Sequence, residues 1–149
     1  MRLTVVTPLA IVVDGAEVAH LRAEDETGAF GILPHHADFL TALAISVATW
    51  RDVQGREHHI ALRGGMIEVR GGDTITIATP EAVLGEDMHR LEHEVLAAFE
   101  REIVEERAAR IDAERLYIAA IRQIFRVLRP GNDVGRARFA APGSEGLEA

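Results

Sequence analysis

The chain has 149 residues, 48% of them hydrophobic and 27% charged, with a net charge of −8 and no cysteine. This is globular composition, enough for one domain or two small units, and it excludes wholesale disorder, disulfide scaffolds and thiolate metal sites or nucleophiles. Every basic residue is Arg, the acidic balance disfavours nucleic-acid binding, no apolar run approaches the roughly 18 residues of a membrane helix, and no secretion signal is visible.

Residues 1–79 read as β. Leu3–Val6, Ile11–Val13, Val18–Ala23, Ile45–Arg51, His58–Leu62, Met66–Val69 and Thr74–Ala78 are short and mostly rich in β-branched residues. Turn signals separate them at Asp14-Gly15, Gly55, Gly64-Gly65 and Gly71-Gly72-Asp73. Short strands at this spacing predict a sandwich or barrel. Pro80 breaks strand pairing, so residues 80–86 read as a linker. Asp87 is placed to cap a helix, because its carboxylate can accept from the free amides of the first turn.

Residues 87–129 contain no Gly or Pro. Met88, Leu91, Val95, Phe99 and Ile103 follow helical spacing, as do Ile111, Ile118, Ile121, Phe125 and Leu128. This is one long helix or a helical hairpin folding near Ala109–Asp112. The hairpin is preferred, because a pair of helices buries an apolar stripe better than a lone one. Residues 130–149, rich in Gly, Ala and Pro, are expected to be disordered.

Enzymatic patterns are weak. His89-Arg90-Leu91-Glu92-His93 fits H-x-x-E-H, in which two histidines one turn apart hold zinc and the Glu acts as base. The chain marks no third ligand, and a solvated helix face flanking the Leu91/Val95 stripe explains the run better. A small zinc peptidase therefore stands as the enzymatic alternative, and a free-standing β adaptor as a third reading. His58 and His59, adjacent on a strand, point to opposite sides and cannot easily grip one metal. His35-His36 lies in a loop that could serve a metal or catalysis, but a backbone hydrogen bond or an interface contact is the commoner role. The glycine pairs make no phosphate loop, since the chain has no Lys. Ser46 and Ser144, the only serines, lie outside any nucleophile elbow. Glu24, Asp25 and Glu26 read as a solvated acidic loop. Physical reasoning stops at a small β unit with an amphipathic helical arm that suits a partner surface.

Residues Gly28–Leu43 run GAFGILPHHADFLTAL. This resembles the G-x-x-G-I-L-P-G-H-A-P-L-L-T-A-L signature of the epsilon subunit of rotary F-type ATP synthases. Leu62–Val69 is similar to that family's S-G-G-hydrophobic-hydrophobic-E-V, and Thr74–Ala78 to its following strand. Gly85-Glu86-Asp87 sits where its helical domain begins, and the resemblance extends in order from residue 3 to about residue 128.

The resemblance implies a flattened antiparallel β-sandwich followed by an α-helical hairpin. It implies a non-catalytic rotor subunit without a cofactor, which joins the central gamma stalk to the c-ring. It is peripheral on the cytoplasmic face of a bacterial inner membrane, and its extended arm reaches the alpha and beta catalytic subunits and restrains ATP hydrolysis. By position, the gamma-facing residues are Thr7, His36, Thr41, Arg63 and Glu68. The c-ring contact is the loop Asp25, Glu26, Thr27, Gly28, Ala29 and Phe30. The arm residues that would meet the catalytic subunits are Arg107, Arg110, Arg115, Arg122 and Arg126.

Five positions depart from the family pattern. His35 replaces the signature's Gly and Asp38 its second Pro, while Arg63 stands where Ser is common. Many members begin the first helix with L-D-x-x-R-A; here His89 and Glu92 stand in place of the Asp and Arg. Glu92 would repel a phosphate, so no nucleotide sensing is expected. The departures suit a divergent, alternate F-type ATPase, sodium-pumping forms included.

Overall fold

A computed structural model describes residues 1–128. Seven strands form the β part: β1 (Arg2–Val6), β2 (Ile11–Asp25), β3 (Gly28–Ile32), β4 (Phe39–Asp52), β5 (Glu57–Arg70), β6 (Thr74–Ala78) and β7 (Ala82–Gly85). They pair in the order β1-β6-β5-β4-β2-β3, and β1 also pairs with β2, so the sheet closes on itself as a sandwich. All pairings are antiparallel except β1 with β6. The core is aliphatic: Leu3, Val18, Leu21, Ile32, Ile60, Leu62, Ile67, Ile75 and Ile77 are fully buried, with Trp50 beside them.

The strands are longer than the sequence suggests. The expected turn at Asp14-Gly15 is a bulged stretch inside β2, with Gly15 at φ 62°. Gly64-Gly65 is likewise no turn. Both residues have positive φ, 72° and 112°, within the continuous strand β5. Two such residues in succession change which side of the strand faces inward. Ile60 and Leu62 are buried before them, and Ile67 and Val69 after them, a switch from even to odd positions. Strand β4 switches in step, from Leu43 to Ser46, Ala48 and Trp50. The long strands thereby contribute to both layers of the sandwich.

The β4–β5 turn is organised by Asp52. Its carboxylate accepts the amides of Gln54 and Arg56, each at 2.9 Å, the Arg56 Nε–H at 2.9 Å, and His58 Nε2–H at 3.0 Å. The His58 ring stacks on Trp50 with centroids 5.2 Å apart. The His58 hydrogen bond, followed by those of Arg56, holds the Asp52 carboxyl well below the usual carboxylate range, against the opposing effect of burial. A carboxylate with a lowered folded-state pKa stabilises the fold above its unfolded pKa of about 4 and loses that contribution as the pH falls further. An Asp52→Asn chain is therefore expected to be less stable at pH 7 but to lose less stability than wild type between pH 4 and pH 2. Urea unfolding at the two pH values checks this; equal losses in the two chains would contradict it.

The expected linker at 80–86 is corrected. Pro80 ends β6, but Ala82–Gly85 returns as β7 and pairs with His59–Leu62 of β5. Asp87 caps the helix as expected, accepting the amides of His89 at 3.0 Å and Arg90 at 3.3 Å. A short turn α1 (Met88–Arg90) leads through a π turn (Leu91–Val95) into α2 (Leu96–Leu128). Leu91 and Phe99 are buried against Ala61 on the outer side of β5, with Ile45, Val47, Val83, Val95 and Leu96 around them. Gly85 makes room for this, since a Cβ there would lie 2.9 Å from Leu91 Cδ2.

The helical hairpin is also corrected. Helix α2 is unbroken from Leu96 to Leu128 and passes through Asp112. No Gly or Pro interrupts it, so nothing in the backbone forces a stop near Ala109. The chain divides into a compact unit Met1–Arg107, holding the sandwich and the start of the helix, and a second unit from Ala108. In the second unit Ile111, Ile118 and Phe125 are exposed, and Ile121 is half-buried. The tail expected from 130 to 149 lies outside the described residues.

Candidate partner-binding surface

The segment Gly28–Leu43 comprises β3, a loop and the start of β4, and the β2–β3 turn leads into it. There Asp25 Oδ1 accepts the amide of Thr27 at 2.8 Å and its hydroxyl at 2.6 Å. The other carboxylate oxygen accepts the Thr41 hydroxyl of β4 at 3.1 Å. The Thr27 hydrogen bonds, and then that of Thr41, lower the Asp25 pKa from its ordinary value, against some burial. Farther along, the Phe30 ring meets Phe39 edge-on at 5.5 Å, and Phe39 meets His36 edge-on at 5.7 Å. The His36 Nδ1–H donates to the Ala37 carbonyl at 2.7 Å. Two independent links thus join the segment 25–30 to His36 and Thr41: a carboxylate–hydroxyl bond and an aromatic ladder.

His35 explains the signature's Gly. Its φ is +65°, the only positive value at a non-glycine position among the described residues. Its amide donates to the Gly72 carbonyl at 2.9 Å, and a Cβ on Gly72 would lie 2.8 Å from His35 Cα. Asp38, the other departure in this loop, accepts the Gly71 amide at 2.8 Å. The loop is therefore pinned to the β5–β6 turn with its backbone in the left-handed region. Relief of left-handed strain outweighs the greater freedom of an unfolded glycine, so His35→Gly is expected to raise stability by about 0.5–1 kcal/mol. Chemical unfolding of the two chains measures this; a less stable variant would contradict it.

The remaining sequence-derived residues fall elsewhere. Thr7 closes the β1–β2 turn, exchanging hydrogen bonds with Ala10. Glu68 pairs across the sheet with Leu40 and Thr76, and its carboxylate holds Arg70 at 2.8 Å. Cross-strand partners share a face, so Glu68 lies on the opposite side of the sheet from Thr41, whose partner is the buried Ile67. On the Glu68 side, Leu40, Ala42, Met66 and Ala78 are exposed and uncharged. Sequence reasoning missed this patch; the signal was the change of facing at Gly64-Gly65. Arg63 lies beneath the start of the helix, bound to Glu81, Glu102 and Glu106. Arg107 ends the first unit and is exposed, and Arg110, Arg115, Arg122 and Arg126 are exposed in the second.

His89 and His93 are neighbours on the helix, ring centroids 4.1 Å apart. Among the described residues no group of three or more His, Cys, Asp or Glu is placed to hold a metal. His58 and His59 point apart, to Asp52 and to Thr49. No described helix is long and apolar enough to cross a membrane.

The family described as "ATP synthase, Delta/Epsilon chain, beta-sandwich domain" matches residues 1–85. "ATP synthase epsilon chain 2" of Paraburkholderia xenovorans is 40% identical over 130 residues, covering 87% of this chain and 94% of that protein. The protein of the same name from Cereibacter sphaeroides is 41% identical over 136 residues, covering 90% and 93%. A chain in the structure of the Euglena gracilis mitochondrial ATP synthase, comprising OSCP, F1 and the c-ring, shares the fold. Its TM-score is 0.56 at 22% identity, over 72% of this chain and 64% of that one. The chain belongs to the ATP synthase epsilon-chain family, whose members are peripheral accessory subunits of the synthase and not enzymes by themselves.

Proposed function

We propose that this chain is a rotor subunit of the central stalk. In this reading it sits peripherally on the cytoplasmic face of a bacterial inner membrane, with gamma on one side and the c-ring on another. The gamma seam in this reading runs around the start of β4, with Glu68 and the uncharged patch Leu40, Ala42 and Met66 on one side of the sheet, His36 and Thr41 on the other, and Thr7 beside the patch. Asp25–Phe30 meets the c-ring. The observation that carries the reading is the pair of links from 25–30 to His36 and Thr41, because a part that transmits torque between two partners needs its two contact surfaces held rigidly together. The helix is the arm, and its Arg107, Arg110, Arg115, Arg122 and Arg126 suit acidic partner surfaces on the catalytic subunits. Both relatives named above are called epsilon chain 2, which is consistent with an alternate synthase.

The test is gamma binding by the double variant His36→Asp, Thr41→Arg. The first substitution places a carboxylate beside Phe39, and the second removes the hydroxyl that Asp25 accepts. A loss of gamma affinity of about 100-fold is expected for a seam at the centre of an interface. Unchanged affinity in the folded double variant would overturn the assignment of the seam.

A further inference from the structure

Arg63 occupies a site built by residues far apart in the chain. Its guanidinium lies 2.7 Å from Glu106, 3.4 Å from Glu102 and 3.7 Å from Glu81. Its side chain is only 14% exposed, whereas each carboxylate partner is about half exposed. The Arg63 amide also donates to the Glu81 carbonyl at 3.0 Å, fixing the β6–β7 connection beside it. Glu102 and Glu106 stand one helical turn apart, an arrangement that weakens an isolated helix through like-charge repulsion. Three carboxylates thus converge on one guanidinium. The Glu106 hydrogen bond, with the charges of Glu106, Glu102 and Glu81, holds the Arg63 pKa above its ordinary value despite desolvation.

We propose that Arg63 is a positioning residue that fastens the base of the arm, residues 99–106, to the outer face of the sheet, so that ionic strength sets how firmly the arm is held. The apolar contacts of Leu91 and Phe99 anchor the first turns of the helix, and Arg63 holds the next two. Arg63 replaces the Ser of the S-G-G run, so the fastening is a property of this chain rather than of that run. Without the guanidinium, Glu81, Glu102 and Glu106 repel one another and the base of the arm lifts. Screening weakens the attraction because the carboxylates face solvent. A network around a largely buried guanidinium holds better than an isolated surface pair. The proposal concerns the isolated chain and does not depend on the gamma reading.

Hydrogen exchange by mass spectrometry on the full chain tests it, at about 20 mM and 500 mM salt, spanning a large change in screening length. In Arg63→Ser, amides of residues 100–107 are expected to exchange about fivefold or more faster than in wild type. The salt dependence of wild type should reverse in Arg63→Ser, because screening then relieves the repulsion among the carboxylates, while the β4–β5 amides stay protected. Adding Glu102→Gln and Glu106→Gln to Arg63→Ser should restore most of the protection by removing the repulsion. Unchanged exchange at 100–107 in Arg63→Ser would overturn the proposal. So would salt that still speeds exchange at 100–107 without Arg63, or a loss of protection spread equally over the strands. Changes in exchange with intact gamma binding, or the reverse, separate this proposal from the rotor reading.

Discussion

A chain ending at Glu86 is expected to be far less stable than one ending at Arg107, which should unfold much as the full chain does. Strand β7 stays in both. The difference lies in Leu91 and Phe99, which cover Ala61 together with Ile45, Val47 and Val83. Losing the burial of two large apolar side chains costs about 3–6 kcal/mol, a large share of the 5–15 kcal/mol typical of a domain. The shorter chain also leaves an apolar patch on the outer face of β4 and β5, which should make it prone to association. The chain ending at Arg107 keeps Glu81, Glu102 and Glu106 around Arg63. Urea unfolding of the three lengths measures the ranking. Equal stability of the Glu86 chain and the full chain would show that the helix base contributes nothing to the sandwich.

The second large effect is expected at Gly65. A Cβ there would collide with the Ala78 carbonyl oxygen and lie 2.8 Å from Thr79 Cα, backbone atoms at and just beyond the end of β6. Its φ of 112° is strained for any other residue. Neither obstacle can move without parting β5 from β6, where Met66 pairs with Ala78. Gly65→Ala should therefore cost about 3 kcal/mol or more, combining backbone strain with overpacking. Gly64→Ala is the internal comparison: its φ is 72° and its nearest obstacle the Leu43 carbonyl at 3.2 Å, so about 1–2 kcal/mol is expected. Denaturation midpoints that rank the two variants in the opposite order would refute the packing account of this glycine pair.

The contrast between those glycines shows what the sequence concealed. Gly64-Gly65 has the composition of a turn, yet it lies inside a strand and reverses its inward face. Composition reports conformational freedom, not its use. Pro80 likewise signals the end of pairing, but only β6 ends there; the pairing of Ala82–Gly85 with β5 is a long-range contact that local propensity does not carry. In the helix, Leu91 and Phe99 were visible from spacing, and Asp87 from its capping chemistry. The hairpin expectation failed because it assumed that the distal stripe must be buried within the chain, whereas Ile111, Ile118 and Phe125 are exposed.

The proposed partner surface rests on resemblance more than on pattern. Asp25 looks like part of a solvated acidic run, and only the fold brings it to Thr41. The resemblance implies a gamma-facing role for Arg63 from its place in the glycine run. Its carboxylate partners lie 18 to 43 residues farther along, beyond any motif spacing. His35 was visible as a departure, and its positive φ supplies the reason for the Gly that the signature carries.

The central claim is that this chain is a rotor subunit seated on gamma. Native mass spectrometry of the full chain mixed with a gamma subunit from the same organism tests that claim most directly. The account predicts a stable one-to-one complex that is lost in the His36→Asp, Thr41→Arg variant. Absence of any complex with the wild-type chain, with both proteins folded, would contradict it.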